Sequence, residues 1–227
     1  MTPLSVVQLG EIKYQDAWDL QCRLHQARLD GSVGDHLLLL NHPHTLTVGT
    51  RGGSPDRWAN LHAERAVLKN RGVDLVESDR GGDITWHGPG QLVVYPIMHL
   101  EPYGQDVGHY VRMLEAMVLR TLEALGIKAQ RSGGYPGVWI GEEKISAVGA
   151  RIKRWVTMHG VSINIRGPLE GFDWILPCGL EGKGVTSIER QLPSAAPDDA
   201  AILSLVSDAA SAVFDREVVV SGSASLP

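Results

Sequence analysis

The chain has few cysteines and no apolar run long enough to cross a membrane. Its 227 residues include two cysteines, Cys22 and Cys178, which lie far apart in sequence and in unlike contexts. We therefore expect no disulfide framework and two free thiols in a reducing cytoplasm. The N-terminus lacks the basic start and apolar core of a signal peptide. No stretch approaches the roughly 18 apolar residues of a membrane span, so no membrane partner is expected.

The sequence also lacks an excess of basic residues. It has 21 Lys and Arg against 26 Asp and Glu, which gives a net charge of -5 and a pI near 6.0. Nucleic-acid binders normally carry a basic excess, so a nucleic-acid partner is not expected. Hydrophobic residues make up 43% of the chain, close to the globular average. We expect one domain over residues 1–220 and a loose C-terminal tail at 221–227.

What the sequence does contain is a mixture of helical and strand patterns. Apolar spacing predicts helices over residues 14–29, 61–69, 107–125 and 198–214. β-rich runs predict strands over residues 36–40, 45–48, 73–77, 92–100, 138–140, 144–152 and 156–165. The last three runs are typical of an antiparallel meander, and Pro96 predicts an edge or a bulge in its strand. The pattern predicts an α+β fold, with helices packed on a mixed, largely antiparallel sheet.

Three segments hold more glycine, polar and aromatic residues than a core needs, namely residues 80–96, 133–152 and 176–187. Glycine permits positive φ angles and a close approach of the backbone to a ligand. The glycines of the first segment therefore either shape a wall whose N–H groups face a substrate or simply form tight turns. They are Gly81, Gly82, Gly88 and Gly90.

Cys178 is the candidate nucleophile. It lies between Pro177 and Gly179, which leave its thiol uncrowded. A free cysteine is more commonly a small buried hydrophobe, so a catalytic and a structural role both stay open at this point. Cys22 lies within the predicted helix 14–29 and fits the structural role.

A catalytic cysteine needs a cationic or basic neighbour, because a thiol with a pKa near ~8.5 is mostly protonated at pH 7. The candidates are Lys144, His87 and His159. Lys144 follows a Gly-Glu-Glu turn and precedes a small, apolar run, so it either enters a pocket or is a solvated hairpin charge. His87 is an acid, a base or a hydrogen-bonded wall residue. His42 and His44 flank a proline, but no further ligands complete a metal set, so no metal site is expected.

The three segments, in order, resemble those of the lipoyl(octanoyl) transferase family. The match to the family signature is RGGDITWHGPGQLVVYP, the match to its second block is GVWIGEEKISAVGARIKRWVTMHGVSINI, and Pro-Cys-Gly at residue 178 matches its catalytic motif. The match covers roughly residues 80–187. Asp83 departs from the family, whose members often carry another polar residue or lysine there, and its role stays open.

The resemblance implies a mixed α/β sandwich similar to lipoate and biotin protein ligases. It implies octanoyl transfer from octanoyl-acyl carrier protein to a lysine of lipoyl domains, such as those of 2-oxo acid dehydrogenases and the glycine-cleavage H protein, without a cofactor. Cys178 matches the thioester nucleophile and Lys144 the lysine that activates it. The implied substrate contacts are Arg80, Gly81, Gly82, Asp83, Ile84, Thr85, Trp86, His87, Ala147, Val148, Gly149, Gly160, Val161 and Ser162.

Acyl carrier proteins are acidic, so Arg151, Lys153 and Arg154 form either a docking patch or a solvated hairpin tip. Two other functions are weighed against the transferase. An ATP-dependent lipoate or biotin ligase would share the fold, but the sequence lacks a basic, glycine-rich phosphate cradle comparable to that of the ligases. A non-catalytic protein that binds acyl carriers or lipoyl domains would use the same pocket, but the presence of Cys178 together with Lys144 favours an enzyme.

Overall fold

The computed structural model describes residues 2–50, 56–176, 182–222 and 226. The strands of this described part are β1 (Leu4–Glu11), β2 (His36–Asn41), β3 (Thr45–Val48), β4 (Asp74–Glu77), β5 (Ile84–His87), β6 (Gln91–Ile97), β7 (Gln130–Arg131), β8 (Gly137–Ile140), β9 (Glu143–Lys153), β10 (Val156–Asn164), β11 (Gly184–Val185) and β12 (Val218–Ser221). The helices are α1 (Tyr14–Leu29), α2 (Arg65–Asn70), α3 (Val107–Ala124), α4 (Ile188–Gln191) and α5 (Asp199–Phe214).

Most strands join one mixed sheet in the order β12, β1, β2, β6, β10, β9, β8, β7, with β11 beside β9. β1 runs parallel to β12 and β2, and β11 runs parallel to β9. The other pairs of this sheet are antiparallel. A small second sheet has the order β4, β3, β5. The expected α+β fold with a mixed, largely antiparallel sheet is confirmed.

Helices cover both faces of the main sheet. Leu37 and Leu39 of β2 pack into the core formed with α3 and α5, whereas Leu38 and Leu40 pack against α1. Side chains alternate between the two faces of a strand, so a strand covered on both sides needs apolar residues at every position. This explains the unbroken Leu37–Leu40 run. Among the described residues, no helix combines the length and apolar character needed to cross a bilayer.

Pro96 was predicted to mark an edge or a bulge, and the edge is wrong. β6 lies between β2 and β10, and Pro96 pairs with Leu37 of β2. The last pair between β6 and β10 is Val94 with Val161, so Pro96 lies beyond this ladder, where β10 departs from regular geometry. There His159 has φ 55° and gives its backbone N–H to the Gln21 side chain at 2.7 Å instead of to a strand neighbour.

Several element boundaries also differ from the prediction. The helix predicted from residue 61 begins at Arg65, because Leu61 forms a bridge with Ile175 instead. β1 and β12 were not predicted at all. Ser221, which the sequence placed in a loose tail, is the last residue of β12. β5 was also missed, since the strand predicted within the 80–96 segment began only at Leu92.

Gly160 lets β10 and β6 approach closely. A Cβ atom at this position would lie 2.3 Å from the carbonyl oxygen of Val94 and 2.7 Å from Cδ of Pro96. Both neighbours are held in the centre of the sheet and have little room to move.

We therefore expect Gly160→Ala to lower the free energy of unfolding by about 1–3 kcal/mol, the usual cost of overpacking. Urea unfolding followed by tryptophan fluorescence measures this. Gly34→Ala is the control, because nothing lies within 4 Å of the Cβ position there. Equal stability of the two variants would contradict the close-approach argument.

Candidate functional site

A cavity of about 560 Å³ opens between the 80–83 loop, β5, β9 and β10. Its size lies within the range of about 300–1,000 Å³ that is common for small-molecule sites. The structure places around it nearly all of the residues that the sequence proposed as substrate contacts. These are Arg80, Gly81, Gly82, Asp83, Ile84, Thr85, His87, Ala147, Val148, Gly149, Gly160, Val161 and Ser162.

Trp86 is the proposed contact that does not line the cavity. Thr85 and His87 face the cavity from β5, and alternation sends Trp86 to the other side of the strand. Its indole is 1% exposed, packs edge-on against Phe172 at 5.2 Å and donates to His44 Nδ1 at 3.3 Å. Trp86 therefore supports the wall from behind.

Arg80 shapes the cavity wall through hydrogen bonds within the protein. Its guanidinium is buried and donates to the backbone and hydroxyl oxygens of Thr47, at 2.7 and 2.9 Å, and to the carbonyl of Asp83 at 2.7 Å. A further N–H bonds the carbonyl of Gly81. These contacts hold the 80–83 loop against β3.

Lys144 lies on the cavity wall and is half-buried. It sits on β9 between Trp139 of β8 and Val185 of β11, and its Nζ is 4.9 Å from the centroid of the Trp139 ring. Lys144 also lines a smaller, adjoining cavity together with Ser146 and Lys183. Of the two alternatives for Lys144, the structure therefore shows the one in which it enters a pocket.

Cys178 lies outside the described residues, so its distance from Lys144 is not a structural observation. The chain on either side of residues 177–181 is anchored. Before them, the N–H of Leu176 donates to the carbonyl of Asn60 at 2.9 Å. After them, Val185 pairs with Lys144, and the N–H of Thr186 donates to the Lys144 carbonyl at 3.0 Å. The described chain that follows residues 177–181 therefore pairs with β9 at Lys144.

A buried polar cluster at the cavity was largely missed by sequence reasoning. His159 lines the cavity, and its Nε2 donates to the carboxylate of Asp79 at 2.7 Å. Asp79 also pairs with Arg151 at 2.9 Å. The ring of Tyr14 stacks on His159, and its hydroxyl lies 2.8 Å from Oγ of Ser78. These residues come from separate parts of the chain, and no local motif signals their contact.

Comparison with known proteins identifies the family. A sequence model described as the lipoyl protein ligase A/B catalytic domain matches residues 13–208. The chain belongs to this family. A protein named Octanoyltransferase from Chloroflexus aggregans is 46% identical over 200 residues, covering 87% of this chain and 89% of the relative. An Octanoyltransferase from Caldicellulosiruptor saccharolyticus is 45% identical over 191 residues, covering 83% and 80% of the two chains.

Solved structures of the family share the fold at low sequence identity. A bipartite lipoate protein ligase from Thermoplasma acidophilum has a TM-score of 0.73 at 14% identity and covers 98% of this chain and 88% of that chain. A lipoate-protein ligase A solved with ATP has a TM-score of 0.74 at 11% identity, covering 97% and 88%. These similarities confirm the expected likeness to the lipoate ligase fold.

Burial favours the neutral form of His42 and His159. It lowers the pKa of His42 to about 4 and that of His159 below its usual value, although the Asp79 carboxylate opposes the latter shift. Burial alone would raise the pKa of Asp79, but its hydrogen bond and charge interaction with His159, together with Arg151, place it below the usual value.

His42 is held by both ring nitrogens, since Nδ1 donates to the Ile12 carbonyl at 2.7 Å and Nε2 accepts from the Tyr95 hydroxyl at 2.9 Å. The pKa of His42 is about 4 in the folded protein, against 6.5 when unfolded. The contribution of its neutral ring to the free energy of unfolding is therefore complete above pH 6.5 and is lost as the pH falls towards 4. The expected loss is about 3 kcal/mol.

We expect His42→Gln, which keeps a donor and an acceptor but does not titrate, to flatten the decline of unfolding free energy between pH 6.5 and 4. Urea unfolding at a series of pH values measures this. The matched change His62→Gln, at an exposed histidine, should leave the decline unchanged. A His42→Gln profile parallel to that of the wild type would be evidence against the assignment.

Proposed function

We propose that this protein is an octanoyltransferase that moves an octanoyl group from octanoyl-acyl carrier protein, through a thioester on Cys178, to a lysine of lipoyl domains. The observation that carries the proposal is the 46% identity, over 87% of the chain, to a protein named Octanoyltransferase. The acceptors are lipoyl domains such as those of 2-oxo acid dehydrogenases and the glycine-cleavage H protein. We place the reaction in the cytoplasm, where a thiol stays reduced.

Lys144 is the proposed activator of Cys178. Its place on the cavity wall and its pairing with Val185, seven residues after Cys178, support this role. An ammonium within about 4–6 Å lowers a thiol pKa by roughly 1–3 units, which turns a mostly protonated cysteine into a largely ionised one at pH 7.

The reaction then has two steps. The Cys178 thiolate attacks the carbonyl of the donor thioester, a C–S bond to the enzyme forms, and the carrier thiol leaves with a proton. The acceptor amine next attacks the enzyme thioester, so that a C–N bond forms, the C–S bond breaks and the amine loses a proton. Exchange between thioesters is nearly level in free energy and amide formation is downhill, so the transfer uses no ATP. This order of steps is a ping-pong mechanism.

The cavity suits a medium-length acyl chain. Its lining includes a set of apolar side chains beside the polar ones, namely Val93, Val107, Val111, Val148, Ile152 and Val161. Burial of seven chain carbons at ~0.8 kcal/mol per CH2 yields about 5–6 kcal/mol, enough to anchor the chain. Hydrophobic pockets discriminate against one methylene more or less by only about 1–3 kcal/mol, so acyl groups of neighbouring length should also react.

Incubation of the enzyme with octanoyl-acyl carrier protein alone should add one octanoyl mass. Intact-protein mass spectrometry should show the adduct in wild type and in Cys22→Ser, and no thioester in Cys178→Ser. Lys144→Met should slow acylation by about 10²-fold or more, as expected on loss of a group that assists proton transfer, whereas Lys69→Met should not. Octanoate with ATP should give no adduct. An unmodified wild-type protein, or normal turnover by Cys178→Ser, would refute the proposal.

The β9–β10 hairpin tip is the proposed docking patch for the acidic carrier protein. Lys153 and Arg154 are exposed, and the adjacent Ile152 lines the cavity. Arg151 is paired with Asp79, so it contributes less to the patch than the sequence suggested. Local positive charge at this edge favours encounter with an acidic partner despite the net negative charge.

Charge reversal at Lys153 and Arg154 together should raise KM for octanoyl-acyl carrier protein about 3- to 10-fold at low salt, since exposed ion pairs contribute roughly 0.2–1 kcal/mol each. The effect should shrink as salt is added. Steady-state kinetics measures it, and Lys69→Glu with Lys128→Glu is the control, because both residues are exposed. An unchanged KM would exclude this patch.

A further inference from the structure

His87 ends a chain of side-chain hydrogen bonds that begins at a backbone carbonyl. The Thr186 carbonyl lies 3.0 Å from Nδ2 of Asn164, and Oδ1 of Asn164 lies 3.0 Å from Nε2 of Gln91. Oε1 of Gln91 lies 2.7 Å from Nδ1 of His87. Asn164 lies on β10, Gln91 on β6 and His87 on β5. Thr186 directly follows β11, beside Lys144.

The direction of every bond in this chain is fixed. A carbonyl oxygen only accepts, so Asn164 must donate to Thr186 and must accept from Gln91 with its own oxygen. The Gln91 amide group then has its oxygen turned to His87, and its nitrogen also donates to the Trp86 carbonyl at 3.3 Å. His87 Nδ1 must therefore carry a hydrogen.

This arrangement selects one tautomer of His87. With the hydrogen on Nδ1, a neutral imidazole carries its lone pair on Nε2. Among the described residues, no hydrogen bond reaches Nε2, while His87 itself lines the cavity. Nε2 is therefore the ring nitrogen that can accept a hydrogen bond from a molecule in the cavity.

The surroundings of His87 favour the neutral ring. Burial lowers its pKa well below the usual value, and the neighbouring His42, Arg80 and His159 lower it further, while the bond to Gln91 opposes them. The ring of Tyr14 stacks over His87 at 6.0 Å.

We propose that His87 is a catalytic residue of the second step, in which Nε2 accepts a proton from the attacking amine, and that Gln91 and Asn164 are positioning residues that fix its tautomer. This inference rests on the proposed function. As the C–N bond forms, one amine proton moves to Nε2. The C–S bond breaks, the Cys178 sulfur leaves as a thiolate, and the imidazolium passes its proton to that thiolate or to water.

The test separates the two half-reactions by mass spectrometry, first acylation by octanoyl-acyl carrier protein and then transfer from the isolated octanoyl-enzyme to a lipoyl domain. In His87→Asn, the amide nitrogen replaces Nδ1 as the donor to Gln91, and Nε2 is lost. Transfer should fall about 10²- to 10⁴-fold, the usual contribution of a positioned base, while acylation stays within a few-fold. His36→Asn is the matched control, because His36 is buried and its Nδ1 bonds the Gly34 carbonyl away from the cavity.

The pH dependence of the transfer rate in Gln91→Glu is a second test, because a purely structural role of His87 would leave it unchanged. A carboxylate beside Nδ1–H stabilises the imidazolium, so the acidic limb of the transfer rate should move to higher pH by roughly 1–3 units. Normal transfer by His87→Asn, equal losses in both half-reactions, or an unmoved limb in folded Gln91→Glu would each overturn the role of His87. A wild-type protein that never forms the octanoyl-enzyme would instead contradict the proposed function.

Discussion

The close backbone contact between the 80–82 loop and the β9–β10 pair is the constraint on which the site depends. Gly149 pairs with Gly160 across these strands, and the N–H of Gly81 donates to the Ala150 carbonyl at 2.9 Å. A Cβ at Gly81 would lie 2.9 Å from that carbonyl oxygen, and a Cβ at Gly149 would lie 2.9 Å from the Gly81 oxygen. The absence of side chains at these points lets the loop lie on the sheet and leaves space for the cavity.

The same strand pair connects the cavity to Lys144. β9 carries Ala147, Val148 and Gly149 on the cavity wall and continues back to Lys144, where β11 joins its edge. The position of the lysine is thus set by backbone pairing with β8 and β11, although the β8–β9 register shifts between Val138 and Trp139. Such pairing holds functional groups more firmly than a loop does. The half-buried Lys144 and the glycine wall belong to one rigid element.

Local patterns predicted the helices well where an apolar stripe and a clear end signal coincide. The helix expected over 107–125 is observed as Val107–Ala124, ending before Gly126 at φ 73°. β1 and β12 were missed because each is paired in parallel with strands far away in sequence, which no local pattern records. Pro96 was misjudged for a related reason, since the place of β6 between β2 and β10 depends on strands that are distant in sequence.

The site was predictable only in part. The glycine-rich segments directed attention to the correct side of the molecule, and the residues proposed there, except Trp86, surround one cavity. The Tyr14, Asp79 and His159 contacts and the bond chain from Thr186 to His87 depend on tertiary pairing, so sequence spacing gives no sign of them. Cys178 lies outside the described residues, and the proposal for its role rests on the family resemblance and on the position of Val185 beside Lys144.

The fold alone does not decide the chemistry, because a protein solved with bound lipoic acid and a lipoate-protein ligase A solved with ATP share it. The central claim is that the octanoyl group passes through the enzyme itself. Kinetic competence tests this most directly: octanoyl-enzyme, isolated free of donor, is mixed rapidly with a lipoyl domain. The account predicts one octanoyl amide on the domain per acyl-enzyme, formed at least as fast as steady-state turnover. An acyl-enzyme that is inert, is only hydrolysed or reacts more slowly than turnover would contradict it.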